Sequence, residues 1–446
     1  MMRRLIVVGA VVFSLSATAS ADEQLVAPRK MTLADCVAEA MHNNPDIKTA
    51  GDERAAASAR RWEVGGNFGP RIQVDGNLQQ WNGSYDLQFQ LDPSQPAIPF
   101  HVRDALTWTV SAEAIQPLTG LLAIYEQYHM SDLGVDVAEI RRQATLRDIG
   151  FRVIEGYYRL LQSERLAEVA VTSVDQLNAQ LKLAQSFHDT GVVSKDDVLR
   201  AELALASAKQ RTIQSRAQVT LARSRLAVLM GLSPSTELDA YPLTGEPETT
   251  IGTSLESAES KALGDRVEVK EVDKEISSSK SGVRLAWLKM APQVNLVANY
   301  THTIGSPFSQ KDAEFIGGTL SWDVWDWGSS IAGVKEANAR MREAKNARQK
   351  LEDQVRLEVR ESFLNLGSAK EGLDVAKAAV TSAEEHYRLV LKRYEANTTT
   401  SFDVVDAESL LTQARAQLQT STYDFLVARA ALKRATGDSP QAQQRP

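Results

Sequence analysis

The chain has 446 residues, a formal net charge of −7, 43% hydrophobic positions, 6% aromatics, one cysteine and six histidines. A single Cys excludes a disulfide framework and any Cys-based zinc or iron–sulfur site. The acidic balance argues against a nucleic-acid binder, which needs excess Lys and Arg to neutralise phosphates. Abundant Ala, Leu, Val, Glu, Lys, Gln and Arg with few aromatics points to long helices.

The N-terminus reads as an export signal. Met1-Met2-Arg3-Arg4 is a basic start, Leu5 to Leu15 is apolar, and Ala19-Ser20-Ala21 offers a small-x-small cleavage site. Residues 1–21 are therefore expected to be a secretory signal peptide, too short in its apolar part for the ~20 residues of a bilayer span. Cys36 lies well beyond the cleavage point and is not expected to be a lipidated first residue. Loss of Arg3 and Arg4 takes the charge to about −9. Later helical stretches are broken by charges, so an exported chain of this kind is periplasmic, secreted or a β-barrel.

The chain repeats itself. A shift of 222 residues pairs Leu33 with Leu255, Ala40 with Ala262, Ile47 with Val269 and Pro70 with Pro292. A shift of 206 pairs Asp197-Val198 with Asp403-Val404, Ala201-Glu202 with Ala407-Glu408, and Gly231 with Gly437. The change of shift leaves sixteen extra residues in the first half, most of them expected as a polar, Pro-containing loop over 83–104. The expected organisation is a first repeat over 22–231, a linker over 232–253, a second repeat over 254–437 and a disordered tail over 438–446.

Each repeat opens with a helix of about 30 residues, N-capped by Thr32 or Ser254. A strand follows, Arg71 to Leu78 or Gln293 to Tyr300, then a loop and a second strand, Leu106 to Ser111 or Ile316 to Val324. Ile72, Val74 and Leu78 alternate with Arg71, Gln73, Asp75 and Asn77, and Leu106, Trp108 and Val110 alternate with Thr107, Thr109 and Ser111. That pattern suits a small sheet packed on helices and a barrel with lipid outside and water inside equally well. Four strands cannot close a membrane barrel, so the second option needs several chains.

A very long helix then runs to about His188 or Tyr394, followed by a turn and a helix ending near Gly231 or Gly437, both plausible C′ residues. Leu160, Ser163, Ala167, Ala170, Val174, Leu177, Leu181 and Ala184 keep an unbroken 3-4 spacing, as do Leu366, Ala369, Leu373, Ala376, Val380, Ala383, Tyr387, Val390 and Tyr394. Mixed large and small residues along such a seam predict closely packed coiled-coil hairpins. A run from Leu121 to His188 would be about 100 Å long at 1.5 Å per residue.

These residues resemble the TolC-like outer-membrane efflux proteins over about residues 31–437. The resemblance is carried by Met31-Thr32-Leu33-Ala34-Asp35, Asn43-Asn44-Pro45-Asp46-Ile47, and Pro70 and Pro292 before alternating strands. It continues in the Trp325-Asp326-Trp327-Gly328 exit from the last strand and in the turns from Gly191 to Leu199 and from Asn397 to Ala407. It implies a mainly α fold with a small β part: a homotrimer whose four strands per chain make a twelve-stranded barrel in outer-membrane lipid, above an α-barrel tunnel across the Gram-negative periplasm. It further implies the exit duct of a tripartite efflux or type I secretion system, docked on a periplasmic adaptor fed by an inner-membrane pump. No enzyme activity, cofactor or nucleic-acid partner is implied.

By the same resemblance, Thr190, Gly191, Val192, Val193 and Ser194, with Asn397, Thr398, Thr399, Thr400 and Ser401, match the adaptor-contacting hairpin tips. Asp403 and Asp406 match an acidic pair lining the periplasmic aperture, where three copies would place six carboxylates able to hold a multivalent cation. Tyr394 and Asp197 match positions that tie the closed aperture together. Thr399 occupies the position of the family's latch Arg, so that salt bridge is not implied.

Read without the resemblance, Asp403 and Asp197 suit helix starts, where acids complement the dipole. Trp108, Trp322, Trp325 and Trp327 suit either a membrane-interface girdle or a packed core. His42, His101, His129, His188, His302 and His386 are scattered without a metal-ligand spacing, and no catalytic motif stands out. Cys36, beside Val37 and Ala40 on an apolar helix face, is expected to be inert. The rival reading is a periplasmic adaptor or extended coiled-coil protein without a pore; an adaptor would show one hairpin flanked by Gly-rich β domains, not two hairpins.

Overall fold

Thr32 starts the first helix as expected. Its hydroxyl accepts from the Asp35 amide at 3.2 Å and the Asp35 carboxylate accepts from the Thr32 amide at 3.0 Å, a reciprocal cap. The computed structural model describes residues 29–90, 96–243, 245, 248–249 and 252–439; the expected signal peptide and residues 440–446 of the expected tail lie outside them. The first half runs β1 (Arg29–Met31), α1 (Leu33–Asn43), α2 (Pro45–Gly66), β2 (Arg71–Gln80), β3 (Tyr85–Phe89), β4 (Ile98–Arg103), β5 (Leu106–Pro117), α3 (Gly120–Asp189) and α4 (Lys195–Leu229). Then follow β6 (Leu238–Ala240), α5 (Leu255–Asp265), α6 (Val267–Leu288), β7 (Gln293–Ile304), β8 (Asp312–Ser321), α7 (Ser329–Glu395) and α8 (Ser401–Ala435).

The duplication is visible in element lengths. α1 and α5 each have 11 residues, α2 and α6 have 22, and α4 and α8 have 35, while α3 and α7 have 70 and 67. The expected 30-residue opening helix is two helices in each half. In the first, Asn44 is extended, its Oδ1 accepts from the Asp46 amide at 2.8 Å, and Pro45 occupies the first helical position. A residue before proline avoids the α region, and Asn is a strong cap, so the chain stops and restarts there. In the second half Arg266 is the extended residue and makes no side-chain cap.

β2, β5, β7 and β8 form one antiparallel sheet in that order. β8 starts and stops earlier than the expected Ile316 to Val324. Asp312 to Phe315 pair with His302 to Asn299, whereas beyond Ser321 the chain turns to begin α7. There Asp326 accepts from the Gly328 and Ser330 amides at 3.0 and 2.7 Å, which gives the Trp-Asp-Trp-Gly segment its role as a helix start. The loop expected over 83–104 contains a β3–β4 hairpin, in which Leu87 pairs with Phe100 and Phe89 with Ile98, alternating with Gln88 opposite Pro99. The expected linker over 232–253 contains β6, which pairs parallel with β1.

The largest core gathers residues from α1, α3, α4, α5, α7 and α8, partway along the hairpins, with Ile154, Leu160, Leu226, Phe425 and Leu426 fully buried. Each such side chain contributes roughly 1.5–3 kcal/mol by leaving water. Cys36 is buried in it, next to Val37 and Ala40. Gly231 and Gly437 end α4 and α8 with φ of +74° and +86°. A Cβ on Gly231 would stand 2.4 Å from the Asn43 carbonyl oxygen, where Asn44 also donates to the Leu229 carbonyl at 2.8 Å.

Beside this core lies a charged network joining both halves. Glu268 accepts from Arg147 of α3 and from Arg266 at 2.9 Å, Arg266 also binds Glu358 of α7, and Arg434 of α8 bridges Glu358 and Asp148 at 2.9 Å each. Arg147 and Arg266 are almost wholly buried. Burial alone would raise the Glu268 carboxyl, but hydrogen bonds and charge from Arg147 and Arg266 outweigh it and bring it down to about 2.

Two outcomes follow. A carboxylate depressed from 4.5 to about 2 stabilises the fold fully above pH 4.5 and loses that contribution as pH falls towards 2. Glu268→Gln should lower the melting temperature at pH 7 and flatten its dependence between pH 5 and pH 3, read by circular dichroism in detergent. Gly231→Ala should destabilise by at least about 1 kcal/mol, measured the same way.

Candidate functional site

The pairing register sorts the sheet into two faces. Ile72, Val74 and Leu78 of β2 share one face with Leu106, Trp108, Val110, Ala112 and Ala114 of β5, through pairs such as Ile72 with Ala114 and Leu78 with Trp108. Leu296, Ala298 and Ile304 of β7 and Ile316 and Leu320 of β8 continue it, with Tyr300, His302, Asp312 and Glu314 as its polar members toward the end far from the helices. Apart from the half-buried Val110, the large apolar members of this face are exposed rather than packed on helices. Gln73, Asp75, Asn77, Thr109, Ser111, Glu113, Asn299, Thr301 and Thr319 share the other face, with Ile115, Val297, Ala313 and Phe315 as exceptions. Of the two options open in the sequence, a sheet packed on helices is excluded. β2 and β8, ten residues each, are the sheet's two edges.

The four singled-out tryptophans fall at opposite ends of the sheet. Trp108 lies near the end of β5 far from α3, edge-on to His302 with ring centroids 5.6 Å apart. Trp322, Trp325 and Trp327 follow β8 at the helical end, all exposed, Trp322 donating to the Met290 carbonyl at 3.2 Å. His101 and His302 are not idle: His101 lies 2.6 and 2.9 Å from Asp86 and Asp104, and His302 lies 2.7 Å from Asp312.

At the far ends of the long helices the two turns share one construction. Gly191 and Asn397, at φ of +79° and +57°, end α3 and α7. Val192 donates to the Phe187 carbonyl at 2.8 Å and Thr398 to the Arg393 carbonyl at 2.9 Å, closing each helix in a Schellman pattern. Ser194 and Thr400 then start α4 and α8. Asp197 accepts from the Ser194 amide at 3.2 Å and hydroxyl at 2.9 Å. Asp403 accepts from the Thr400 amide at 3.0 Å and hydroxyl at 2.8 Å, and from the Thr399 hydroxyl. These bonds, Thr399 foremost, hold the Asp403 carboxyl below the usual range. Ser401 is the first residue of α8, not its cap, and its hydroxyl is buried. Thr399 thus donates to the carboxylate four residues further on, that of Asp403.

The tips of the two hairpins meet within one chain. Tyr394 is buried with Val390, Val404 and Ala407, and Phe187 of α3 lies against it at 5.6 Å between centroids. Burial, and after it the charge of Asp197, pushes the Tyr394 hydroxyl up. Asp406, one turn along α8 from Asp403, is exposed. The structure therefore brings Asp197 and Tyr394 together and leaves Asp406 facing solvent.

One group is illegible in the sequence. Glu408, buried between α8 and α3, accepts from Ser173 at 2.6 Å and Thr412 at 2.8 Å, and Gln180 of α3 is buried with neither amide atom hydrogen-bonded. Its counterpart Glu202 is exposed, so the repeat pattern gave no signal.

An exposed apolar sheet face, a polar opposite face and helices about 100 Å long, paired in coiled-coil hairpins over their far halves, together define an outer-membrane channel protein with a helical extension. The chain belongs to the outer membrane efflux protein family, whose model matches residues 36–232 and 259–438. It is therefore an outer-membrane efflux protein, and not an enzyme. It is 20% identical over 290 residues, 64% of this chain, to the outer membrane efflux protein BepC of Brucella suis, and spans 62% of that relative's length. It is 22% identical over 405 residues to the alkaline protease secretion protein AprF of Pseudomonas aeruginosa, covering 88% of this chain and 82% of AprF. Its fold is similar to the outer-membrane channel OprN, with TM-score 0.78 and 21% identity over 92% of this chain and 90% of that one. It is likewise similar to VceC of Vibrio cholerae, with TM-score 0.77 and 17% identity over 91% and 96%.

Removing the Thr400 hydroxyl tests the cap at the second tip. Thr400→Ala should cost about 1 kcal/mol locally, an increase of about fivefold in amide exchange over Thr399 to Val404 with little change elsewhere.

Proposed function

We propose that three copies close into a twelve-stranded barrel, β8 of one pairing with β2 of the next, above a continuous tunnel of helices. The observation that carries this is the open, equal-length edges beneath an exposed apolar face. β2 and β8 run in opposite directions within the chain, so their pairing between copies continues the antiparallel order. Closure satisfies the edge amides and carbonyls, which hydrocarbon cannot do. The polar face then lines a wet pore.

The repeats at 22–231 and 254–437 each contribute two strands and one hairpin to this assembly. The tips Thr190 to Ser194 and Asn397 to Ser401 meet a periplasmic adaptor that links the duct to an inner-membrane pump, in efflux or type I secretion. Asp406, with the second oxygen of Asp403, forms the acidic mouth, and the Tyr394–Phe187 contact holds the two hairpins of each chain together there. Trp108 and the Trp322, Trp325 and Trp327 group mark the two membrane interfaces.

Single-channel conductance of the detergent-purified protein in a planar bilayer tests this reading. Stable, cation-selective steps blocked by divalent ions are expected. Asp406→Asn should weaken the block without loosening the cap, and Asp403→Asn with Asp406→Asn should abolish it. Unchanged block would remove both residues from the mouth, and a protein that extracts without detergent and conducts nothing would sink the channel.

A further inference from the structure

The β3–β4 hairpin belongs to one repeat only. It lies in the segment that gives the first half its extra residues, whereas residues 305–311 alone join β7 to β8. Its strands pair with each other and not with the four-stranded sheet. Two contacts fix its base on the polar side of the sheet's rim. The Trp81 indole donates at 3.1 Å to the hydroxyl of Thr107, which shares the face of Thr109 and Ser111. The Arg103 guanidinium then lies 3.6 Å over the Trp81 ring, a cation–π contact. Farther along the hairpin, Phe100 stacks on Phe308 of the β7–β8 loop with centroids 5.2 Å apart.

A single histidine ties both strands of the hairpin to the chain entering β5. His101 on β4 has Nδ1 2.6 Å from Asp86 of β3 and Nε2 2.9 Å from Asp104. A carboxylate only accepts hydrogen bonds, and a neutral imidazole has one N–H to give. Both contacts together therefore require the imidazolium. On losing a proton the ring keeps one bond and turns a lone pair towards the other carboxylate. The bond to Asp86, and after it the bond to Asp104, raise His101 above its ordinary 6.5. The stabilisation is thus full below pH 6.5 and is lost as pH rises through the raised value.

No neighbouring charge takes over when the proton leaves. Arg103 is turned onto Trp81. The β7–β8 side brings Lys311 and Asp312, and Asp312 is engaged by the Tyr300 hydroxyl at 2.6 Å and His302 at 2.7 Å. Among the described residues, Asp86 and Asp104 form ion pairs with His101 alone. Two carboxylates then stand on either side of a ring that satisfies only one of them.

We propose that His101 is a proton-operated catch: charged, it holds the β3–β4 hairpin against the polar side of the rim, and neutral, it releases the hairpin as the medium turns alkaline. The barrel reading above places this rim at the extracellular mouth of the pore, and the inference rests on that reading for its position. Three held hairpins narrow the mouth, and three released ones leave it wider. The same imidazole that titrates near neutrality is the only group bridging β3, β4 and the entry to β5 by its side chain.

The test uses the full-length detergent-purified protein in a Cys36→Ser background with a nitroxide spin label at Gln88→Cys on the hairpin. Label mobility should rise between about pH 5 and pH 9, with a midpoint above the ordinary histidine value. Asp86→Asn should shift that midpoint downwards, and both His101→Arg and His101→Leu should lose the transition. A transition that persists in either His101 variant, or a wild-type label that does not respond, would overturn the catch. A label at Val74→Cys on the apolar strand face should stay unchanged; a parallel response there would mean general loosening and overturn it equally. Single-channel conductance should rise over the same range, and steps that ignore pH while the hairpin label titrates would overturn the narrowing of the mouth. A titrating label in a protein that conducts at no pH would keep the catch and overturn the barrel reading.

Discussion

A four-stranded sheet with an exposed apolar face leaves two debts to solvent, and the rest of this structure is arranged around them. Ile72, Val74, Leu78, Ile316 and Leu320 lie uncovered on one side, and β2 and β8 are edges with unpaired amides and carbonyls on their outer flanks. Water tolerates the open edges but not the apolar face; hydrocarbon tolerates the face but not the edges. Only closure of the strands within a membrane relieves both. The helices therefore cannot cover the sheet, and they leave it end-on through short connections such as Leu118 to Thr119 and the Asp326 cap.

Partway along the hairpins the physics changes. There α1 and α5 pack across the long helices and bury a true core around Ile154, Leu160, Leu226 and Phe425. The breaks at Asn44 and Arg266 let 22-residue helices leave this core toward the sheet. The two breaks reach the same backbone geometry by different chemistry. Asn44 and Pro45 encode theirs locally, whereas Arg266 is held by Glu268, itself bound to Arg147 of α3, and by Glu358 of α7, far away in sequence. Duplicated architecture has outlasted duplicated interactions.

The tips repeat this lesson in miniature. Gly191 and Asn397 adopt one left-handed conformation, and Ser194 with Asp197 and Thr400 with Asp403 build one kind of cap. Yet α3 and α7 differ where they face each other, with Phe187 against Tyr394. The acid at position 403 caps the start of α8, and in the proposed assembly it is also a charge at the mouth: one oxygen accepts three hydrogen bonds and fixes where the carboxylate sits. A structural reading and a functional reading of that residue are thus not rivals.

Much of this was legible in the sequence because it depends on local pattern. Strand alternation at Ile72 to Leu78, the 3-4 seam from Leu160 to Ala184, the cap at Thr32 and the positive φ of Gly231 and Gly437 each follow from residues within a few positions of one another. The elements that local pattern does not reveal are those decided at a distance. The β3–β4 hairpin reads as a loop in the sequence because its prolines and polar residues mask a short alternation that acquires meaning only once Leu87 and Phe100 are paired. The break at Arg266 has no local cap, and β6 exists only because β1 lies beside it. Glu408 and its exposed counterpart Glu202 occupy equivalent places in their helices, and only the packing of α3 on α8 separates a buried acid from a solvated one. The sequence by itself determined the repeats, the periods and the helix ends, since sterics and hydrogen bonds act there between near neighbours. Which apolar face stays uncovered, which strands become edges and which charges are buried were decided by tertiary structure, because burial and pairing depend on residues that the chain brings together only when folded.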